Sequence, residues 1–233
     1  MVVQYLRNVS ARQGEEDCFP AQTMRHAAQW LEKNRGKRFF LYVDTFDPHE
    51  PWDPPRWYVD LYDPGYEGEK VFYPVYGPAD YLTKRELKHA RALYAGEYSL
   101  VDTWMGYLLR RVAELGLLDH TMIIFTTDHG FYIGEHNLTG KAILWSGGYH
   151  NCPLYTEVAR VPLMIRLLGQ AQKRRLSPYA QAPDLAPTIL EFLGINIPDT
   201  MQGLLLLPLM QDESRRTRSL AISTPSLAHN PNG

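Results

Sequence analysis

The residues best suited to chemistry stand where apolar runs end. Asp128 and His129 directly follow residues 121–127, an apolar and β-branched run, and Gly130 comes next. Such a run predicts a strand buried on both faces, and ligands in an open α/β sheet bind just beyond the carboxyl ends of its strands. A carboxylate and an imidazole at that place are typical of a divalent metal site. Alternatively, Asp128 caps a following helix and His129 is an ordinary surface histidine.

A second polar cluster follows within one loop's reach. It contains His136 and Lys141, whose flexible ammonium group can hold an oxyanion. A metal, an imidazole and an ammonium group together suit the transfer of a phosphoryl or sulfuryl group, where catalysis is mostly charge stabilisation. The pattern therefore favours an enzyme that acts on anionic esters.

Another apolar run, residues 38–46, also ends in a chemically useful segment. The run predicts a second buried strand, and Asp47-Pro-His49-Glu-Pro51 follows it. His49 is a candidate site residue at this strand end. The alternative is a rigid proline turn with an incidental histidine.

These segments resemble signatures of the sulfatase family, in the alkaline-phosphatase-like superfamily. TTDHGFYIGEHNLTGK, residues 126–141, looks like the second signature of that family, and residues 48–51 resemble its Pro-His-x-Pro element. Residues 184–190 resemble a structural Asp-Leu-x-Pro-Thr-Leu segment of the same family. The resemblance covers roughly residues 20–225.

The resemblance implies a role for each matching residue. Asp128 and His129 would be metal ligands, and Lys141 would bind the sulfate. His49 would reach the ester and protonate the leaving oxygen. Two roles stay open for His136: it supports the direct ligands from behind, or it contacts the substrate directly. The implied metal is calcium, with magnesium, manganese and zinc as alternatives.

The resemblance also implies the fold class and the domain organisation. We expect an α/β fold, a three-layer αβα sandwich with a mostly parallel central sheet that is incomplete at the N-terminus. Residues 1–19 are expected to be irregular, 20–225 to form a partial sulfatase-like catalytic domain, and 226–233 to be a truncated end. Helical spacing and a capping box further predict helices over residues 23–34 and from Thr83 onward.

The nucleophile of that family is absent from the sequence. No Cys/Ser-x-Pro-Ser-Arg segment occurs, and Cys18-Phe-Pro-Ala-Gln22 fails because Gln22 stands where the arginine must be. The resemblance therefore implies a formylglycine in a missing N-terminal part. We predict that the isolated chain is inactive and binds metal weakly, since two protein ligands make a sparse site.

Composition narrows the class of partner. The formal net charge of −2 over 233 residues gives no support for nucleic-acid binding, and no apolar run approaches the length of a membrane span. The expected partner is a small-molecule or carbohydrate sulfate ester. A phosphodiesterase or phosphonate monoester hydrolase of the same superfamily stays open, as does a non-catalytic relic or binding domain. The sequence indicates neither an oligomeric state nor a compartment.

Overall fold

The structure, a computed structural model, describes residues 2–145, 148–150, 152–170, 173–212 and 218–223. The predicted C-terminal segment 226–233 lies outside these residues. The chain divides into two compact units. Unit 1 comprises Met1–Phe125, Phe131–Cys152 and Met164–Gly169, and unit 2 comprises Thr126–Gly130, Pro153–Leu163 and Gln170–Gly233.

Helices and short strands alternate along the described chain. The α-helices are α1 (Val2–Ser10), α2 (Phe19–Asn34), α3 (Arg56–Val59), α4 (Lys84–Glu114), α5 (Thr156–Ala159), α6 (Leu185–Leu193) and α7 (Leu207–Gln211). The strands are β1 (Gly77–Pro78), β2 (Ile123–Thr126), β3 (Tyr132–Ile133), β4 (Leu138–Gly140), β5 (Ile143–Trp145), β6 (Gly148–His150) and β7 (Leu163–Arg166). In the part of the chain that the structure describes, no helix has both the length and the apolar character of a membrane span.

The described strands form small sheets rather than one parallel sheet. Their orders are β1-β4-β3, β2-β7 and β5-β6, and β4 pairs antiparallel with both of its neighbours, as β5 does with β6. At the two ends of the β2–β7 pair, Thr126 Oγ1 donates to Pro162 O and Arg166 donates to Leu118 O, as in antiparallel strands. The predicted mostly parallel central sheet is therefore not found among the described residues.

Two long helices form the main core of unit 1. The Thr83 hydroxyl accepts from Glu86 N at 3.2 Å while the Glu86 carboxylate accepts from Thr83 N at 2.7 Å, which confirms the predicted capping box of α4. Helix α2 begins at Phe19, four positions before the predicted start, because Pro20 suits the first helical turn. The two helices bury apolar side chains against each other, including Ala21, Met24, Leu100 and Trp104.

Residues 38–46 differ most from the prediction. The segment is extended but pairs with no described strand, and its side chains alternate between half-buried and exposed. Phe40 and Tyr42 are 64% and 75% exposed, whereas Val43 packs on the core of α2 and α4. The prediction of a strand buried on both faces is wrong here, because the helices cover only one row of side chains. The strand predicted over residues 121–127 forms as β2, but it too is only partly buried.

The N-terminus also differs from the expected irregular segment, because α1 occupies Val2–Ser10. Long-range contacts hold this region on unit 1. The Tyr5 hydroxyl donates to the Asp53 carboxylate, and Arg12 pairs with the same carboxylate at 2.8 Å. Partners more than 40 positions away cannot be inferred from local spacing.

The Asp184 carboxylate organises much of unit 2. Its position predicts a cap on α6, but its oxygens instead accept from Gln181 N and Leu204 N, both at 2.8 Å. Arg218 adds a bidentate pair at 2.7 and 2.9 Å. This buried carboxylate thus connects the start of α6 with the segment before α7 and with residue 218. The Arg218 charge and the two backbone donors outweigh burial and hold the pKa of Asp184 below its usual value.

Candidate active site

His49 and Lys141 meet in unit 1 although they lie 92 positions apart. Lys141 Nζ is 2.8 Å from His49 Nε2. An ammonium group can only donate, so Nε2 accepts and the ring proton resides on Nδ1. In agreement, His49 Nδ1 lies 2.7 Å from the backbone carbonyl oxygen of Glu50, which can only accept. The structure therefore brings the two predicted catalytic residues together with a defined imidazole orientation.

The surroundings of His49 restrict its ring. Phe46 stacks on the imidazole with centroids 4.3 Å apart and planes 28° apart. The Glu50 carboxylate places Oε2 3.2 Å from Nδ1. Trp52, which is fully buried, anchors the loop by donating from its indole to Pro48 O at 3.0 Å. The ring is consequently fixed on its face and on its Nδ1 side, while its Nε2 edge meets Lys141.

Asp128 and His129 form a separate arrangement at the end of β2, in unit 2. Asp128 Oδ1 accepts from His129 N at 2.8 Å, and His129 Nε2 lies 3.3 Å from Asp128 Oδ2. The Asp128 side chain is 80% exposed. Burial would raise the pKa of Asp128, but the His129 charge and the backbone donor outweigh it and lower the value. The next position requires glycine, because the backbone of Gly130 approaches α5 so closely that a Cβ would overlap Glu157 O. Gly130 N also donates to Val158 O at 2.9 Å.

The Asp128–His129 pair fits a divalent metal in donor type but not in number. His129 Nδ1 lies 2.9 Å from Gly130 O, which can only accept, so a neutral His129 ring keeps its proton on Nδ1 and its Nε2 lone pair for a cation. An exposed carboxylate beside that nitrogen supplies a hard oxygen. Across the described residues, however, no three His, Cys, Asp or Glu side chains converge as a metal site would require. These two residues can therefore contribute to a metal site without completing one.

His136 lies in the turn between β3 and β4, in unit 1. It has a left-handed backbone with φ 55° and ψ 25°, and its ring meets Tyr132 edge-on with centroids 6.1 Å apart. This contact places the imidazole against the β3–β4 hairpin. The turn leads through β4 to Lys141, so His136 lies in the hairpin that precedes the lysine.

The sequence as a whole decides the family. The Sulfatase family model matches residues 3–195, which is most of the chain. The chain belongs to the sulfatase family. An arylsulfatase of Clostridium perfringens is 30% identical over 207 residues, which cover 80% of this chain and 40% of that protein. The chain thus spans about two fifths of the length of this sulfatase relative.

Solved structures agree with this sulfatase assignment. The phosphonate monoester hydrolase of Silicibacter pomeroyi superposes with a TM-score of 0.66 at 25% identity, covering 84% of this chain and 42% of that one. A protein solved with its substrate D-glucosamine-2-N,6-O-disulfate superposes with a TM-score of 0.62 at 19% identity, over 84% of this chain and 52% of that one. The fold is therefore of the alkaline-phosphatase-like type, although the described sheets are small.

The structure also bears on Cys18, whose flanking residues do not match the nucleophile segment of the sulfatase family. The thiol is buried in the core between α2 and α4. Burial raises the pKa of Cys18 to about 11; the charge of Arg12 opposes this shift, and the nearby acidic groups reinforce it. A thiol of this kind is neutral and inaccessible near pH 7, which supports its exclusion.

Proposed function

We propose that this chain carries the anion-binding and leaving-group side of a metal-dependent sulfuric ester hydrolase. The observation that carries the proposal is the 2.8 Å contact between Lys141 Nζ and His49 Nε2. Both residues come from segments that match family signatures, and they meet although nothing in their sequence separation requires it. A cation and a proton donor at one place suit a tetrahedral anionic ester.

Each residue has a defined task in this proposal. Lys141 binds a non-bridging oxygen of the sulfate and offsets its negative charge. His49, protonated at Nε2, gives that proton to the ester oxygen as the alcohol departs. Protonation of the leaving oxygen avoids the release of an alkoxide. The sulfate displaces the direct contact between the two side chains, because both donors then point to its oxygens.

Asp128 and His129 are proposed to hold the divalent cation, calcium by preference, with magnesium, manganese or zinc as alternatives. A bound cation would act there as a Lewis acid. The family resemblance also implies a formylglycine nucleophile, which none of the 233 residues provides. We therefore assign the nucleophile to no residue of this chain, and we predict that the chain alone does not turn over an ester.

A carbohydrate sulfate or an aryl sulfate is the proposed substrate class, since the relatives include an arylsulfatase and a protein solved with a disulfated glucosamine. The second candidate is a phosphonate monoester. It is favoured by the likeness to the phosphonate monoester hydrolase of Silicibacter pomeroyi. Sulfate and phosphonate monoesters share tetrahedral anionic geometry, so binding must discriminate them.

Side-by-side binding of an aryl sulfate and a matched aryl phosphonate monoester tests the proposal. The titration is followed at the His49 imidazole by NMR. We expect the sulfate ester to bind more tightly, and Lys141→Met to weaken it about tenfold or more by removing a charged hydrogen bond. Lys37→Met, at an exposed lysine, is the matched control and should leave binding unchanged. Tighter phosphonate binding would favour the second candidate, and no response to either ester would refute both.

A further inference from the structure

The carboxylate of Glu50 is buried beside His49, and the sequence argument did not select it. Its side chain is 1% exposed. Burying a carboxylate is unfavourable unless nearby groups compensate for its lost hydration. The Tyr76 hydroxyl donates to Oε1. The other oxygen, Oε2, has no hydrogen-bond partner in the described part of the chain, and its contact is His49 Nδ1 at 3.2 Å.

This unsatisfied oxygen is explained by the state of the imidazole. The Nδ1 proton is directed to the Glu50 backbone carbonyl, so Oε2 interacts with the ring through charge rather than through a hydrogen bond. A neutral ring gives Oε2 little compensation. An imidazolium places a positive charge 3.2 Å from a buried negative one, where the attraction is strong because water is excluded. The Glu50 carboxylate is thus complementary to protonated His49.

Glu50 is in turn held by Tyr76, which packs against the strand that leads to Lys141. The Tyr76 ring packs over Gly140, where φ is +99° and a Cβ would lie 2.6 Å from Tyr76 Cγ. Gly140 therefore accepts the ring only because it lacks a side chain. Phe131 also meets the Tyr76 ring edge-on, with centroids 5.6 Å apart. Since Lys141 directly follows Gly140, one set of contacts fixes both the carboxylate and the lysine.

We propose that Glu50, held by Tyr76, is the positioning residue for His49. It fixes the Nδ1 side of the imidazole so that Nε2 faces the anion, and it offsets the positive charge of the ring while His49 carries the proton for the leaving oxygen. This inference rests on the proposed function of His49. Burial keeps Glu50 itself away from any substrate, so it acts through His49 and not as a nucleophile.

Nitrogen-15 NMR of histidine-labelled full-length chain tests this role. At pH 7 the ring signals report the surroundings of both His49 nitrogen atoms, with and without inorganic sulfate. We expect Glu50→Gln to shift these signals, because a neutral amide does not offset the ring charge. Glu50→Asp keeps the charge and should restore part of the original signals. Tyr76→Phe should produce a smaller shift, because the carboxylate loses one restraint.

Glu97→Gln is the matched control, since Glu97 is also a buried glutamate and lies in the same unit. Burial, followed by the nearby Asp47 and Asp53 charges, raises the pKa of Glu97 to about 9, so this change removes little charge at pH 7. The control should leave the His49 signals unchanged. It separates loss of the Glu50 charge from general disturbance of the core.

Two results would overturn the inference: a folded Glu50→Gln chain with unchanged His49 signals, or, if that variant unfolds, a folded Tyr76→Phe chain with unchanged His49 signals. The sulfate arm reports the proposed function independently. If sulfate does not perturb His49 in the unaltered chain, the anion-site proposal fails, while the variants still measure whether Glu50 controls the imidazole.

Discussion

The two candidate regions, one in each unit, differ in what holds them. His49 and Lys141 come from distant segments, and neighbouring rings, a buried carboxylate and a hairpin fix the pair. Asp128 and His129 are adjacent, and their described partners lie within two positions of them. The first region is therefore preorganised by the fold. The second is an open pair of donors whose geometry an added ligand would have to fix.

The largest expected effect is the loss of the Trp52 anchor. Trp52→Ala removes a fully buried ring that packs edge-on against Tyr94 and Phe131 at 5.4 and 5.2 Å. We expect it to lower the free energy of unfolding of unit 1 by about 3–5 kcal/mol. Trp57→Ala, at a ring that is 56% exposed, is the control and should cost far less. Denaturant unfolding measures both, and equal losses would contradict the idea of a preorganised His49 loop.

The stability of unit 1, which holds the His49 region, should depend on pH through Glu97. Burial and, after it, the neighbouring Asp47 and Asp53 charges raise the pKa of Glu97 to about 9. The folded state thus keeps a proton that the unfolded state releases near the usual value of 4.5. The contribution to stability is complete below that value and is lost as the pH rises towards 9.

Glu97→Gln should remove this pH dependence, because the amide does not ionise. We expect the variant to become more stable than the original chain by more than about 1 kcal/mol at alkaline pH, with a smaller difference near pH 5. Thermal unfolding across that range measures it. A constant difference between the two chains at every pH would show that Glu97 does not titrate in this way.

The smallest effect is expected at Asp128. Two protein ligands should bind a divalent cation weakly, with a dissociation constant of about 1 mM or higher. Asp128→Asn should weaken the response of His129 NMR signals to manganese, because it removes the hard oxygen beside Nε2. Asp199→Asn, at another exposed aspartate of unit 2, should not. Equal weakening in both variants would mean that the cation binds to general surface charge.

Local sequence was sufficient for the family. Residues 126–141 carried the sulfatase resemblance, and the Thr83 capping box fixed the start of α4, because both depend on neighbouring positions. Residues 38–46 were misjudged because an apolar run does not show how many of its faces will be covered. Helix α1 was missed because contacts with Asp53, far along the chain, stabilise its region.

The arrangement of the site was less accessible from sequence. His49 and Lys141 were each selected, but their contact depends on how the β3–β4 hairpin folds onto the His49 loop. Glu50 was passed over as the variable residue of Pro-His-x-Pro. Its complete burial, which makes the carboxylate informative, follows only from tertiary packing. A carboxylate directly after a candidate catalytic histidine is the signal that could have indicated it.

The most direct measurement is a crystal structure of the chain in the presence of sulfate. The central claim is that His49 and Lys141 bind one tetrahedral anion. We predict tetrahedral density within hydrogen-bond distance of both Lys141 Nζ and His49 Nε2, in place of their direct 2.8 Å contact. An unchanged contact between the two nitrogen atoms, with sulfate bound only elsewhere, would contradict the claim.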